Sequence, residues 1–210
     1  VYDERHQWYN GSMSEEERGL LVVISGPSGV GKTTIVHRVR EEFNAEFSVS
    51  ATTRPKSSTE VNGEDYYFIS DEEFASKIEA KEFLEHAEVF GCHQYGTLRK
   101  PVVDALVAGK IVLLDIDVQG GIQVRENMPE SVRIFILPPS EDELLKRLEM
   151  RGREDVESIQ RRFLEAKREI SLAQESGAYD YFIVNDNLEF ATDETVAIIR
   201  KTRNDSPTLS

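Results

Sequence analysis

Residues 26–33 read Gly-Pro-Ser-Gly-Val-Gly-Lys-Thr, which fits the spacing G-x-x-x-x-G-K-[ST] without a mismatch. Those residue types at that spacing build a phosphate-binding loop. Gly26, Gly29 and Gly31 let the backbone wrap an anion with its N–H groups inward, with Pro27, Ser28 and Val30 between them. A helix starting near Lys32 aims the positive end of its dipole at the phosphates. Lys32 supplies a mobile ammonium for the β- and γ-phosphates, Thr33 a hydroxyl for Mg²⁺, and Thr34 is the next residue expected to contact the nucleotide. The chemistry is the binding of a nucleoside triphosphate with Mg²⁺, and the open question is where the γ-phosphate goes. A GTPase needs a guanine-reading Asn-Lys-x-Asp, but no Asn in the chain is followed by Lys. Asp117-Val-Gln-Gly120 fits the Asp-x-x-Gly of switch loops on two fixed positions only, which is weak. Small size and an inserted polar segment point instead to a kinase for a small acceptor.

The elements that must hold this loop are legible as patterns. LLVVIS at 20–25 is a continuous apolar, β-branched run, as expected of a strand buried on both faces of a parallel sheet. Similar runs are IVLLDI (111–116), RIFILP (133–138) and YFIVND (181–186). Helices are predicted from Lys32 to about Phe43, from Ser140 with Glu143 as its capping box, along the stripe Ile159, Phe163, Ala166, Ile170 and Ala173, and over about 188–203. Alternating strands and helices predict an α/β fold with a parallel β-sheet core flanked by helices. Residues 51–97 break this rhythm. A polar loop over 52–64, a short aromatic strand over 66–70, a helix capped by Ser70 and Glu73, and the strand-like FLEHAEVF of 83–90 read as an inserted lobe.

Composition narrows the partners. The chain has 210 residues, about one domain or one with an insertion, and a net charge of −14. That acidity argues against a nucleic-acid partner and against docking on anionic membranes. The single cysteine, Cys92, excludes a disulfide framework within the chain, and a cytoplasmic, reducing location is the expectation. Cys92 with His86 and His93 is too sparse for a metal site. Residues 1–19 are polar and acidic and are expected to form a flexible extension. Residues 20–203 would be the domain, with a core of 20–50 and 98–203, a lobe of 51–97 and a lid at about 151–157. Residues 204–210 would be a tail. Nothing in the sequence specifies an oligomeric state.

Several segments resemble the guanylate kinase family of P-loop nucleoside monophosphate kinases. They are Ser50-Ala51-Thr52-Thr53-Arg54, Glu60 to Phe68 (EVNGEDYYF), IVLLDIDVQG (111–120), ILPPS (136–140), RLEMRGR (147–153) and IVND (183–186), in the family's order over about residues 20–203. The resemblance implies a P-loop kinase fold with an acceptor-binding lobe and a short lid. It implies phosphoryl transfer from ATP, with Mg²⁺, to GMP. Arg54, Arg147, Arg151 and Arg162 match the family's arginines. Glu85 matches the carboxylate that accepts from the guanine N1–H and N2–H₂ edge, with Ser50 and Thr97 adding hydroxyls. Tyr66, Tyr95 and Arg54 match the ligands of the GMP phosphate. Asp115 and Asp117 end a strand, where one would serve Mg²⁺ and one GMP; the metal set would be Thr33 with Asp115. Asn185 would lie near adenine. The chemistry agrees: the nucleophile is an anionic phosphate oxygen, so alignment and charge neutralisation matter more than a general base.

Three departures stand out. The family's second loop arginine, three residues after the first, is here Ser57, and the usual Gly before Glu60 is Thr59. A charge-assisted hydrogen bond is worth about 1.5–3 kcal/mol, so its loss predicts GMP binding weakened roughly 10- to 150-fold unless Lys56, which lacks a bidentate fork, compensates. Four residues rather than three separate Gly91 from Gly96, which bears on the placing of Tyr95 and Thr97. The alternatives are a non-catalytic guanylate-kinase-like interaction module, motivated by Ser57, and a kinase for another phosphorylated acceptor. Lobe and lid are expected to close over the substrates.

Overall fold

The computed structural model describes residues 19–89, 92–150 and 155–205. In chain order the elements are β1 (Leu20–Ser25), α1 (Lys32–Phe43), β2 (Glu46–Phe47), β3 (Ser50–Thr52), β4 (Tyr67–Phe68), α2 (Asp71–Glu79), β5 (Phe83–Val89), β6 (His93–Leu98), α3 (Arg99–Val107), β7 (Ile111–Asp115), α4 (Val118–Asn127), β8 (Val132–Leu137), α5 (Glu141–Met150), α6 (Val156–Ser176), β9 (Tyr181–Val184) and α7 (Leu188–Asp205).

Five strands form a sheet in the order β2-β7-β1-β8-β9, and every pairing in it is parallel. β1 is central and buried along its whole length. Its alternation explains the unbroken apolar run. Leu20, Val22 and Ile24 pack with α1 and α7 on one face, through Ile35, Val39 and Ile199. Leu21 and Val23 pack with α3 and α4 on the other, through Val102, Leu106 and Val124. Each such side chain contributes about 1.5–3 kcal/mol by leaving water. The short β2, α3 and α4 were not anticipated: β2 is two exposed residues, and α4 is rich in Gly and Gln, with a weak apolar stripe.

The inserted lobe is a second sheet, β4-β3-β6-β5, over a small core of Ala51, Phe74 and Phe83. Two features tie it to the main body. β6 runs directly into α3. The outer edge of β5 is bonded by side chains of α4, where a fifth strand would otherwise be needed. The Gln123 amide accepts from the His86 N–H at 3.1 Å and donates to the His86 carbonyl at 2.9 Å. Asn127 donates to the Leu84 carbonyl at 2.8 Å. Glu85, between those two residues, is thereby fixed relative to the main sheet.

Candidate active site

The phosphate loop follows the carboxyl end of β1, where parallel sheets bind ligands. Gly31 is the N-cap of α1 with φ 93°, a region that L side chains rarely adopt, and a Cβ there would lie 2.5 Å from the Asn185 amide nitrogen. Only glycine satisfies both conditions. Ser70, Asp117, Ser140 and Asp155 cap α2, α4, α5 and α6 with side-chain oxygens. The start of α1, by contrast, has no side-chain cap and no acidic residue in its first turn. The first N–H groups of a helix have no intrahelical partner, so this end remains a donor set for an anion.

Lys32 forms an ion pair with Asp115 at the end of β7. Burial pulls its ammonium down to about 8, against the attraction of Glu169 and Asp117. Glu169, on α6, is pushed up to about 7, first by burial and then by Glu165 and Asp117. Asp117 caps α4 through the Gly120 N–H at 2.8 Å, so its Asp-x-x-Gly spacing is that of a helix start. Thr33 and Thr34 lie exposed in the first turn. Thr33 and Asp115 offer the hard oxygen donors that suit Mg²⁺.

Asn185 is buried, and its side-chain amide donates to the Val30 carbonyl at 2.7 Å. It straps the loop from beneath. Arg147 donates to Glu143 at 3.0 Å and to the Asn185 carbonyl at 3.1 Å, while Arg162 on α6 bonds Ser28 of the loop. Arg151 lies outside the described residues, as does most of the expected lid.

On the lobe, strand register gathers the acceptor candidates. Ser50 pairs with Thr97 across β3–β6, and Glu85 pairs with Thr97 across β5–β6, so three predicted base contacts lie in one row. The Thr97 hydroxyl donates to Glu85 at 2.6 Å. A register shift between Phe83 and Glu85 makes this possible: without the extra residue, Leu84 would oppose Thr97. A bulge that re-aims a side chain beside a site is a recurring device. Glu85 is 7% exposed, and burial, with Asp117 nearby, raises its pKa against the Thr97 hydrogen bond. Gly120 of α4 packs close against Glu85, since a Cβ there would lie 3.1 Å from a Glu85 carboxylate oxygen.

Two residues along β6, on the same face as Thr97, stands Tyr95, paired with Thr52. Its ring lies 5.8 Å from that of Tyr66. Arg54 lies over the Tyr66 and Phe68 rings at 5.4 and 5.6 Å, with the Tyr95 hydroxyl in its electrostatic surroundings. The four-residue spacing before Gly96 thus leaves Tyr95 and Thr97 facing the same side. Sequence reasoning missed Gln123, Asn127, Gly120 and Glu169, which lie on helices whose patterns give no sign of what they face. It also gave Glu60 no role, although Glu60 holds Arg54 (below).

The guanylate kinase family model matches residues 18–202. The chain is 46% identical over 183 residues to a guanylate kinase of Clostridium tetani, covering 87% of this chain and 86% of that one. It is 51% identical over 172 residues to a guanylate kinase of Thermosynechococcus vestitus, covering 81% and 88%. Among solved structures, the guanylate kinase of Anaplasma phagocytophilum superposes with a TM-score of 0.67 at 38% identity, covering 91% of this chain and 89% of that chain. With an uncapped phosphate loop on one sheet and a carboxylate-and-hydroxyl row on the other, the chain belongs to the guanylate kinase family, the enzymes of ATP-dependent GMP phosphorylation.

Proposed function

We propose that the chain phosphorylates GMP, and dGMP, by direct in-line transfer between its two sheets, with the donor on the loop 26–34 and the acceptor on the β3–β6–β5 face. The observation that carries this reading is the Ser50–Thr97–Glu85 row. A carboxylate and two hydroxyls there suit the donor edge of guanine, while adenine would leave the Glu85 carboxylate unpaired and facing a ring nitrogen. Sites built on such hydrogen bonds reject the wrong group by up to about 10⁴-fold.

A GMP phosphate oxygen attacks the γ-phosphorus, and the bond to the bridging oxygen breaks to leave ADP. Arg54, Tyr66 and Tyr95 hold the attacking phosphate. Lys32 leaves Asp115 for the donor phosphates. Arg147, Arg151 and Arg162 neutralise the charge that spreads over the transferred group. Thr33 and Asp115 would hold Mg²⁺, which would supply positive charge against the donor phosphates. Asp115 and Asp117 stand where the two substrates meet, and one of them reaches GMP. Asn185 acts through the loop it supports. Closure of the lobe and of 151–157 keeps water from the γ-phosphate. A cytoplasmic location fits an acidic chain with one exposed cysteine; among the described residues no helix is long and apolar enough to cross a membrane.

A purely interacting module has no use for an uncapped helix start beside a lysine. The test is a coupled ADP-release assay with Mg-ATP against GMP, dGMP, AMP, UMP and dTMP. Turnover confined to the guanine nucleotides is expected. Turnover with AMP or a pyrimidine nucleotide at comparable kcat/KM would overturn the role given to Glu85.

A further inference from the structure

The strongest unexplained contact on the lobe is between Arg54 and a residue of its own loop. The Arg54 guanidinium donates from both terminal nitrogens to the two Glu60 carboxylate oxygens, at 3.1 and 2.5 Å. One of those oxygens also accepts from the Ser57 N–H at 2.8 Å. Fork and amide together are what an Arg-based phosphate site offers, and they surround a carboxylate. The Lys56 ammonium is on the Glu60 main-chain carbonyl at 2.8 Å, so the cation beside the missing family arginine is engaged on the same residue. Arg54 itself is held over the Tyr66 and Phe68 rings and against Tyr95. It is therefore placed at the acceptor end of the sheet whether or not Glu60 is bonded to it.

We propose that Glu60 is an internal competitor for the acceptor phosphate: its carboxylate occupies the Arg54 fork, and a phosphomonoester enters by displacing it. The inference rests on the reading of Arg54 as a GMP phosphate ligand. It makes Glu60 a specificity-determining residue that touches no substrate. A singly charged or weakly held anion does not repay the loss of a bidentate ion pair, whereas a phosphomonoester dianion, anchored at its other end by guanine, does. The contact also gives Ser57 a consequence. An arginine at 57 would give Glu60 a second partner; with serine there, Arg54 is the only guanidinium that Glu60 engages among the described residues.

Arg54 holds the Glu60 carboxyl down at about 2, so the carboxylate stays charged at any pH where the enzyme is assayed, and the test must be a substitution. Glu60→Gln keeps an acceptor for the Ser57 N–H and the same shape, but replaces a charge-assisted pair by a neutral one. KM for GMP is expected to fall about tenfold, with kcat moving far less. Affinity for guanosine, which has no phosphate, should stay unchanged by calorimetry. Inorganic phosphate should become a better inhibitor against GMP. Glu60→Ala, with far-ultraviolet dichroism to confirm folding, should shift KM the same way. A KM for GMP unchanged or raised in folded Glu60→Gln would overturn the proposal and make Glu60 a loop brace. A parallel gain for guanosine would also overturn it, since the phosphate would not be what Glu60 opposes. If neither protein turned over GMP, the reading of the acceptor itself would be wrong, a result distinct from an active wild type that Glu60→Gln leaves unmoved.

Discussion

On the proposed reading, the phosphate loop and the acceptor lobe take the same chemical group, a phosphate, by opposite means. The loop presents backbone N–H groups at an uncapped helix start, set on a strand buried at both faces and strapped by Asn185. Its shape is fixed by the main core. The lobe presents side chains from β3, β5, β6 and the 53–66 loop over a core of three buried residues, and its charged groups are engaged within the lobe: Arg54 with Glu60, Glu85 with the Thr97 hydroxyl. Backbone donors cannot turn away, so a site made of them needs no occupant to keep it ordered. Side chains can, and each is held in place by a partner that the substrate must replace. A donor cradle whose backbone is prebuilt, beside an acceptor site whose Arg54 is occupied by Glu60, suits an enzyme that must not spend ATP before the acceptor arrives.

Substitutions can break that contrast, and the largest effect is expected on the loop side. Lys32→Met should lower kcat by about 10³-fold while ATP still binds through the backbone cradle, as nucleotide titration with the variant would show. If ATP binding were lost entirely, the cradle would not be self-sufficient. Next comes Glu85→Gln. It should lower kcat/KM for GMP by about 10²-fold and narrow the gap to AMP. Glu85 is a carboxyl with a raised pKa, so the folded state holds its proton more tightly than the unfolded chain, and its contribution to stability is lost as pH rises. The neutral variant should therefore melt higher than wild type at pH 7 to 8. A lower melting temperature there would contradict the burial argument.

Ser57→Arg should lower KM for GMP roughly 10-fold or more by adding a phosphate ligand and by drawing Glu60 from Arg54. Steady-state kinetics with no change would remove Ser57 from the account. Asn185→Ala leaves the buried Val30 carbonyl without its donor, at a cost of about 1–3 kcal/mol. A lower melting temperature and a higher KM for ATP are expected, with KM for GMP unmoved; a GMP effect would mean that the two sites are not built separately. The smallest effect is on pH. Because Glu85 is protonated more readily than an ordinary carboxyl, KM for GMP should begin to rise on acidification before the usual carboxylate range is reached. The Glu85→Gln variant should lose that limb of the profile.

Much of this was determined by the sequence alone. The spacing of Gly26 to Thr33 specifies a phosphate cradle because backbone conformation there is local. The apolar runs at 20–25, 111–116 and 133–138 became β1, β7 and β8 because a strand covered on both faces is mostly apolar, whereas the run at 181–186, expected to be buried in the same way, became the edge strand β9, in which only Ile183 is buried. Helix starts at Ser70 and Ser140 followed from capping chemistry that spans three residues. What only the tertiary structure decided is non-local. The bulge before Glu85 that brings it opposite Thr97, the straps of Gln123 and Asn127, the place of Asn185 beneath Val30 and the Glu60–Arg54 pair each depend on which surfaces meet. Side-chain hydrogen bonds of a few kcal/mol in gross strength leave no periodic trace in a sequence. Hydrophobic burial along a strand does, because it acts on every residue of the run.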